Sequence, residues 1–170
     1  MRLSVLLSVC LLLWSCTSAP IEPFELSIQD FNYASAYSKV YSISNEGLKI
    51  VFKGELENES DRILFTSIDI PVRNLRQLSQ VDFDNLKAIY SNQCVLDGDI
   101  KFFTYKKKDT LKKVIVENYF HDELSPAIDI INELVPKEHQ ILYDEKEIKE
   151  LMKGCEEILI METFPEIQKN

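Results

Sequence analysis

Apolar residues recur along this chain with two periods, and the change from one to the other divides it into elements. Leu26, Ile28 and Phe31 open the first patterned stretch, and Tyr37, Tyr41 and Ile43 follow at even spacings that suggest a half-buried strand. Leu48, Ile50 and Phe52 then alternate with Lys49, Val51 and Lys53. Asn45-Glu46-Gly47 lies between the two runs, with Gly where a three-residue hairpin loop needs a left-handed residue. After a charged loop over 55–61, Ile63 to Ile70 is a further extended stretch, stopped by Pro71. The period then changes: Val72, Leu75 and Leu78, and after them Phe83, Leu86, Ile89 and Tyr90, return at three- and four-residue steps. These intervals predict one or two short amphipathic helices ending by Asn92, with Ser79 or Asp82 as the cap of the second.

Asp97-Gly98 marks a turn, after which Ile100 to Lys106 and Leu111 to Glu117 read as two strands. A turn at Lys108-Asp109 would set Phe103 opposite Val114 and Phe102 opposite Ile115. Ser125-Pro126 predicts a helix with Ser as N-cap and Pro in the first helical place, and Ala127, Ile130, Ile131 and Leu134 as its inward stripe, closed by Pro136. From Asp144-Glu145-Lys146-Glu147, a capping-box-like start, Ile148, Leu151, Met152, Cys155, Ile158 and Leu159 keep to one helical face. That face would point Cys155 inward, and Gly154 would weaken the helix by about 1 kcal/mol relative to Ala. The order predicts an α+β fold, with a mostly antiparallel sheet built from β-hairpins, short helices and a C-terminal amphipathic helix.

Ahead of these elements, Arg2 precedes an apolar run from Leu3 to Leu13, and small or polar residues begin at Ser15. A bilayer-spanning helix takes about 20 apolar residues, so this run is too short and reads as an export signal. Leu13-Trp14-Ser15-Cys16 resembles the lipobox of Gram-negative lipoproteins, although Trp14 stands where that family favours a small residue. The resemblance implies cleavage before Cys16, diacylation of its sulfur and acylation of the new amino group. It also implies residence in the cell envelope, with the outer membrane favoured because of Thr17. The implied organisation is a signal peptide over 1–15, a lipidated terminus and tether over 16–24, one α+β domain over 25–164 and a tail over 165–170. An ordinary secretory signal cut after Ser18, releasing a secreted protein, is the alternative.

The net charge of −9 argues against nucleic acid or anionic lipid heads as the main partner, since both select a basic footprint. Against that balance, Lys106, Lys107, Lys108, Lys112 and Lys113 crowd one predicted hairpin tip. Keeping a sheet edge solvated explains them most simply, and contact with lipid phosphates or an acidic protein is the other reading. Of four cysteines, Cys10 lies in the signal and Cys16 takes the lipid, leaving Cys94 and Cys155 either as a disulfide or as two buried thiols.

Asn118, Tyr119, His121 and Asp122 lie between a strand and a helix, where scaffolds often display polar groups for binding or catalysis. His121 and His139 are the only histidines, with no spacing that suggests a metal site. Asp82 with Asp84 and Asp97 with Asp99 match no calcium loop, and nucleophile elbows, phosphate-binding loops and paired CxxC motifs are absent, so no cofactor is expected. The expected function is a membrane-anchored, non-enzymatic binding or accessory domain with a protein partner. An inhibitor or immunity-type protein that meets a basic partner and an enzyme with a site near His121 are the alternatives.

Overall fold

A computed structural model describes residues 19–32, 37–54, 56, 58–96 and 98–165. One eight-stranded sheet crosses it, in the order β4-β3-β2-β1-β6-β7-β5-β8. The strands are β1 (Phe24–Asn32), β2 (Tyr37–Ser44), β3 (Gly47–Gly54), β4 (Arg62–Ser67), β5 (Ile89–Asn92), β6 (Ile100–Lys107), β7 (Thr110–Glu117) and β8 (Ile158–Met161). All neighbours are antiparallel except β5 and β7, which run parallel. Among the described residues three α-helices accompany the sheet: α1 (Val72–Ser79), α2 (Ser125–Leu134) and α3 (Glu145–Lys153). The fold is α+β.

Strict alternation fixes which face β1 turns to the core. Phe24, Leu26 and Ile28 are buried while Glu25, Ser27 and Gln29 are not, so a one-residue slip would turn the whole apolar set outward. The register carries a row of buried side chains across five strands: Ile50, Tyr41, Ile28, Phe103 and Val114. Leu75 and Leu78 of α1, Phe83, and Ala127, Ile128 and Ile131 of α2 join the same core. Tyr41 reaches through it and donates its hydroxyl hydrogen to the carbonyl of His139 at 2.8 Å. The β6–β7 pairing sets Phe103 opposite Val114 and Phe102 opposite Ile115, around Lys108 and Asp109.

The structure departs from the sequence pattern at five places. Ser44 pairs directly with Gly47, so the β2–β3 turn holds two residues, Asn45 and Glu46. Gly47 is required because its φ is +147° and a Cβ there would stand 2.5 Å from the carbonyl oxygen of Ser67. The extended stretch after residue 61 ends at Ser67, not Ile70.

Phe83, Leu86, Ile89 and Tyr90 do not form a helix: a single 3-10 turn at Phe83–Asn85 gives way to β5. Tyr90, Ser91 and Asn92 are all buried there, so the strand offers no alternation to read.

Ser125 is not the N-cap of α2 but a residue of its first turn, followed by Pro126. Ile128 takes a buried place on that helix, while Ile130 and Leu134 are half-buried. Finally, the last helix does not run through Leu159. Asp144 caps α3, accepting the Glu147 N–H at 2.9 Å, and the helix stops at Lys153 with Gly154 at its C-cap. Ile148 is the one residue of α3 that is buried, Cys155 lies beyond the helix and is half-buried, and Ile158 to Met161 pair with β5 as a strand.

Candidate functional site

Of the candidate residues between β7 and α2, Asn118 and Asp122 stand apart from Tyr119 and His121. Asn118 is 5% exposed and holds φ at 48°, a left-handed conformation that Asn tolerates better than most residues. Its N–H donates to the Asp99 carbonyl at 2.8 Å and its Oδ1 accepts the Asp99 N–H at 2.7 Å, so it locks the ends of β6 and β7. Asp122 is exposed on the first residues of the following turn.

Tyr119 and His121 meet Tyr90 of β5. The Tyr119 ring lies 5.5 Å from that of Tyr90, and the imidazole meets Tyr90 edge-on at 4.4 Å. Burial raises the Tyr119 phenol above its ordinary value, helped by Tyr90 and Asp122. Nδ1 of His121 accepts the backbone N–H groups of Glu123 at 3.2 Å and Leu124 at 3.4 Å. Those are amide donors of the turn just ahead of α2, so the imidazole satisfies two backbone groups that the turn would otherwise leave unpaired. Burial lowers its pKa despite the opposing pull of Glu123 and Asp122, and accepting at Nδ1 also favours the neutral ring.

Ser125 is held by the same turn. Its Oγ accepts the His121 backbone N–H at 3.0 Å and hydrogen-bonds to the Tyr143 hydroxyl at 2.5 Å. Burial pushes the Tyr143 phenol up to about 12, against the lowering effect of Ser125. A general base needs a lone pair aimed at a substrate proton, whereas the Nδ1 lone pair of His121 faces amide hydrogens. Among the described residues, no group of three or more His, Cys, Asp or Glu is placed to hold a metal ion.

A charged cluster that the sequence reading missed sits at the far end of the β1–β6 pair. Lys101 is 1% exposed, its Nζ lies 2.8 Å from Oδ1 of Asp30, and it also pairs with Asp99. Burial lowers its pKa, while Asp30 pulls the other way. The signal was available in the sequence, since Lys101 is in phase with the buried Phe103 and Tyr105 on β6. A lysine in that phase has to carry its counter-charges inside with it.

Cys94 and Cys155 form a disulfide with Cα atoms 5.7 Å apart. Beside it, the Gln93 N–H donates to the Glu157 carbonyl at 3.0 Å, so a covalent and a hydrogen-bonded link together join the end of β5 to the chain entering β8.

The lysine-rich turn between β6 and β7 shares one end of the sheet with the start of β1. Phe24 is level with Lys107, Glu25 with Lys106 on one side and with Ser44 on the other. Glu22 pairs with Lys108 at 2.7 Å and Lys107 at 3.2 Å, and these two cations hold its carboxyl below the ordinary value. An open hollow of about 540 Å³ lies here, lined by Phe24, Glu25, Asn45, Glu46, Lys106 and Lys108 among others. Leu111, 59% exposed, stands opposite Lys106. Cys16 precedes the described residues.

No family model, curated protein or solved structure matches the chain.

Proposed function

We propose that the chain is a lipid-anchored, non-enzymatic binding or accessory domain of a bacterial cell envelope, held at the membrane through Cys16, with the outer membrane favoured. The observation that carries this reading is the run Leu13-Trp14-Ser15-Cys16 behind an apolar stretch from Leu3, residues that lie outside the described part of the chain. Burying acyl chains is worth about 0.8 kcal/mol per methylene, so two or three chains hold a protein where one gives only marginal attachment.

Two further features support the reading. A Cys94–Cys155 disulfide suits a chain that folds in an oxidising compartment. His121, the residue around which an enzyme site was conceivable, uses its Nδ1 lone pair on the backbone of its own turn, which favours a binding role over a hydrolytic one.

Metabolic labelling of intact cells with a fatty acid tests the anchor. The wild-type protein takes up label and Cys16→Ser does not; label on the serine variant, or an unlabelled wild type, removes the proposal.

A further inference from the structure

We infer that the β6–β7 turn is the face on which the tethered protein rests against an anionic lipid surface, its lysines meeting headgroup phosphates. This rests on the lipid-anchor reading and adds to it an orientation. Cys16 precedes Glu22 by six positions, a span of about 20 Å at full extension. Glu22 is in turn fastened to Lys107 and Lys108. Ile21 packs against the core next to it, so the segment leading to Cys16 is held beside the basic tip.

Charge distribution favours the same pose. Lys106, Lys107, Lys108, Lys112 and Lys113 outnumber the neighbouring Glu22, Glu25, Glu46 and Asp109 by one, on a chain whose net charge is −9. An anionic surface therefore attracts the tip and repels the remainder, which turns the molecule as well as holding it. The potential of such a surface decays within a Debye length of about 8 Å at physiological salt, so these charges count only when a tether keeps them close. Lysines on both faces of the turn can reach phosphates while Leu111 between them meets the acyl boundary. Glu25 and Glu46 share the adjacent hollow with Lys106 and Lys108, so an anion inside it would meet two carboxylates as well as the two ammonium groups, which favours contact on the turn's outer surface.

The test uses the natural acylated protein, reconstituted on vesicles of phosphatidylcholine alone or of an equimolar mixture with phosphatidylglycerol. A water-soluble amine reagent and peptide mass mapping read the reactivity of each lysine. Lys149 and Lys153 of α3 serve as internal references, since Lys149 covers Phe120, beyond the other end of β7. A lysine at an anionic surface gains about fivefold in partitioning. Lys106, Lys108, Lys112 and Lys113 should accordingly lose about fivefold in reactivity relative to α3 on the anionic vesicles, with recovery in high salt. In Lys112→Glu/Lys113→Glu protein, the protection at Lys106 and Lys108 should disappear.

Equal tip reactivity on the two vesicle types, with Cys16 found acylated in the same digest, overturns the orientation and leaves the anchor standing. Protection that is the same on neutral vesicles also overturns it, because phosphate charge is then not what is recognised. An amino terminus found without lipid overturns both.

Discussion

Cys94 and Cys155 stand 5.7 Å apart at Cα although 61 positions separate them in sequence. The bond lies at the end of β5, next to the 3.0 Å hydrogen bond from the Gln93 N–H to the Glu157 carbonyl, and fixes the edge strand β8 on the sheet. On the loop-entropy model, closing a loop of that size stabilises by about 4 kcal/mol. Cys94→Ser/Cys155→Ser should lower the unfolding free energy by roughly that amount in urea titrations. Hydrogen exchange should show the loss first in Ile158 to Met161, because β8 is an edge strand with β5 as its one neighbour in the sheet. A variant as stable as the wild type would contradict this account.

His121 predicts a dependence on pH. Burial holds the folded imidazole below its ordinary value, so on acidification the unfolded chain binds a proton before the folded one does. The stability that depends on this ring is complete above about pH 6.5, falls as the pH drops through that value, and levels off once the folded ring also titrates. His121→Ala should cost about 1 kcal/mol at neutral pH, because two turn amides lose their acceptor. The gap between variant and wild type should narrow as urea midpoints are compared from about pH 7.5 down to about pH 5.5. A gap that widens on acidification would show that the ring is charged in the folded state.

Lys101 and its two carboxylates form a unit in which removing one member is worse than removing all three. Lys101→Met leaves the partly exposed carboxylates of Asp30 and Asp99 facing each other without their cation, at a cost of about 2 kcal/mol from the lost charged hydrogen bonds. The triple variant Lys101→Met/Asp30→Asn/Asp99→Asn should recover most of that loss. Thermal unfolding of the single and triple variants, measured side by side, decides the matter.

Phe83 stacks on Tyr105 with ring centres 4.2 Å apart and planes inclined by 6°. Phe83→Ala should cost about 3 to 5 kcal/mol, because both transfer energy and a cavity are involved. Leu142→Ala, at an exposed position, should stay within about 0.5 kcal/mol of the wild type. Urea unfolding of both variants makes the comparison.

Legibility of the fold followed the range of the interactions. The pairing of β6 with β7 can be read from the chain because Lys108 and Asp109 are local and strand alternation does the rest. The contact between β1 and β6 joins residues 69 to 83 positions apart and leaves no local trace. β5 and β8 hold four residues each, and three consecutive residues of β5 are buried, so its apolar spacing imitates a helix. Gly154 was read as a weak point inside a helix, whereas it is where the helix ends and the chain turns toward the disulfide.

The polar residues were partly legible too. Asn118, Tyr119, His121 and Asp122 do sit at a strand-to-helix junction, but sequence spacing does not reveal that His121 accepts from the two amides ahead of α2. Lys101 shares β6 with Lys106 and Lys107, and nothing local tells a buried lysine from a solvated one until the strand's inward phase is known.

The central place of β1 has a mechanical consequence. A pull on the amino terminus along the strand axis loads the hydrogen bonds to β2 and β6 together, so the ladders on both flanks have to slide at once and cannot open one rung at a time. Such shear loading resists force far better than peeling an outer strand, and it makes the end of the chain nearest Cys16 the strongest handle by which this molecule can be held.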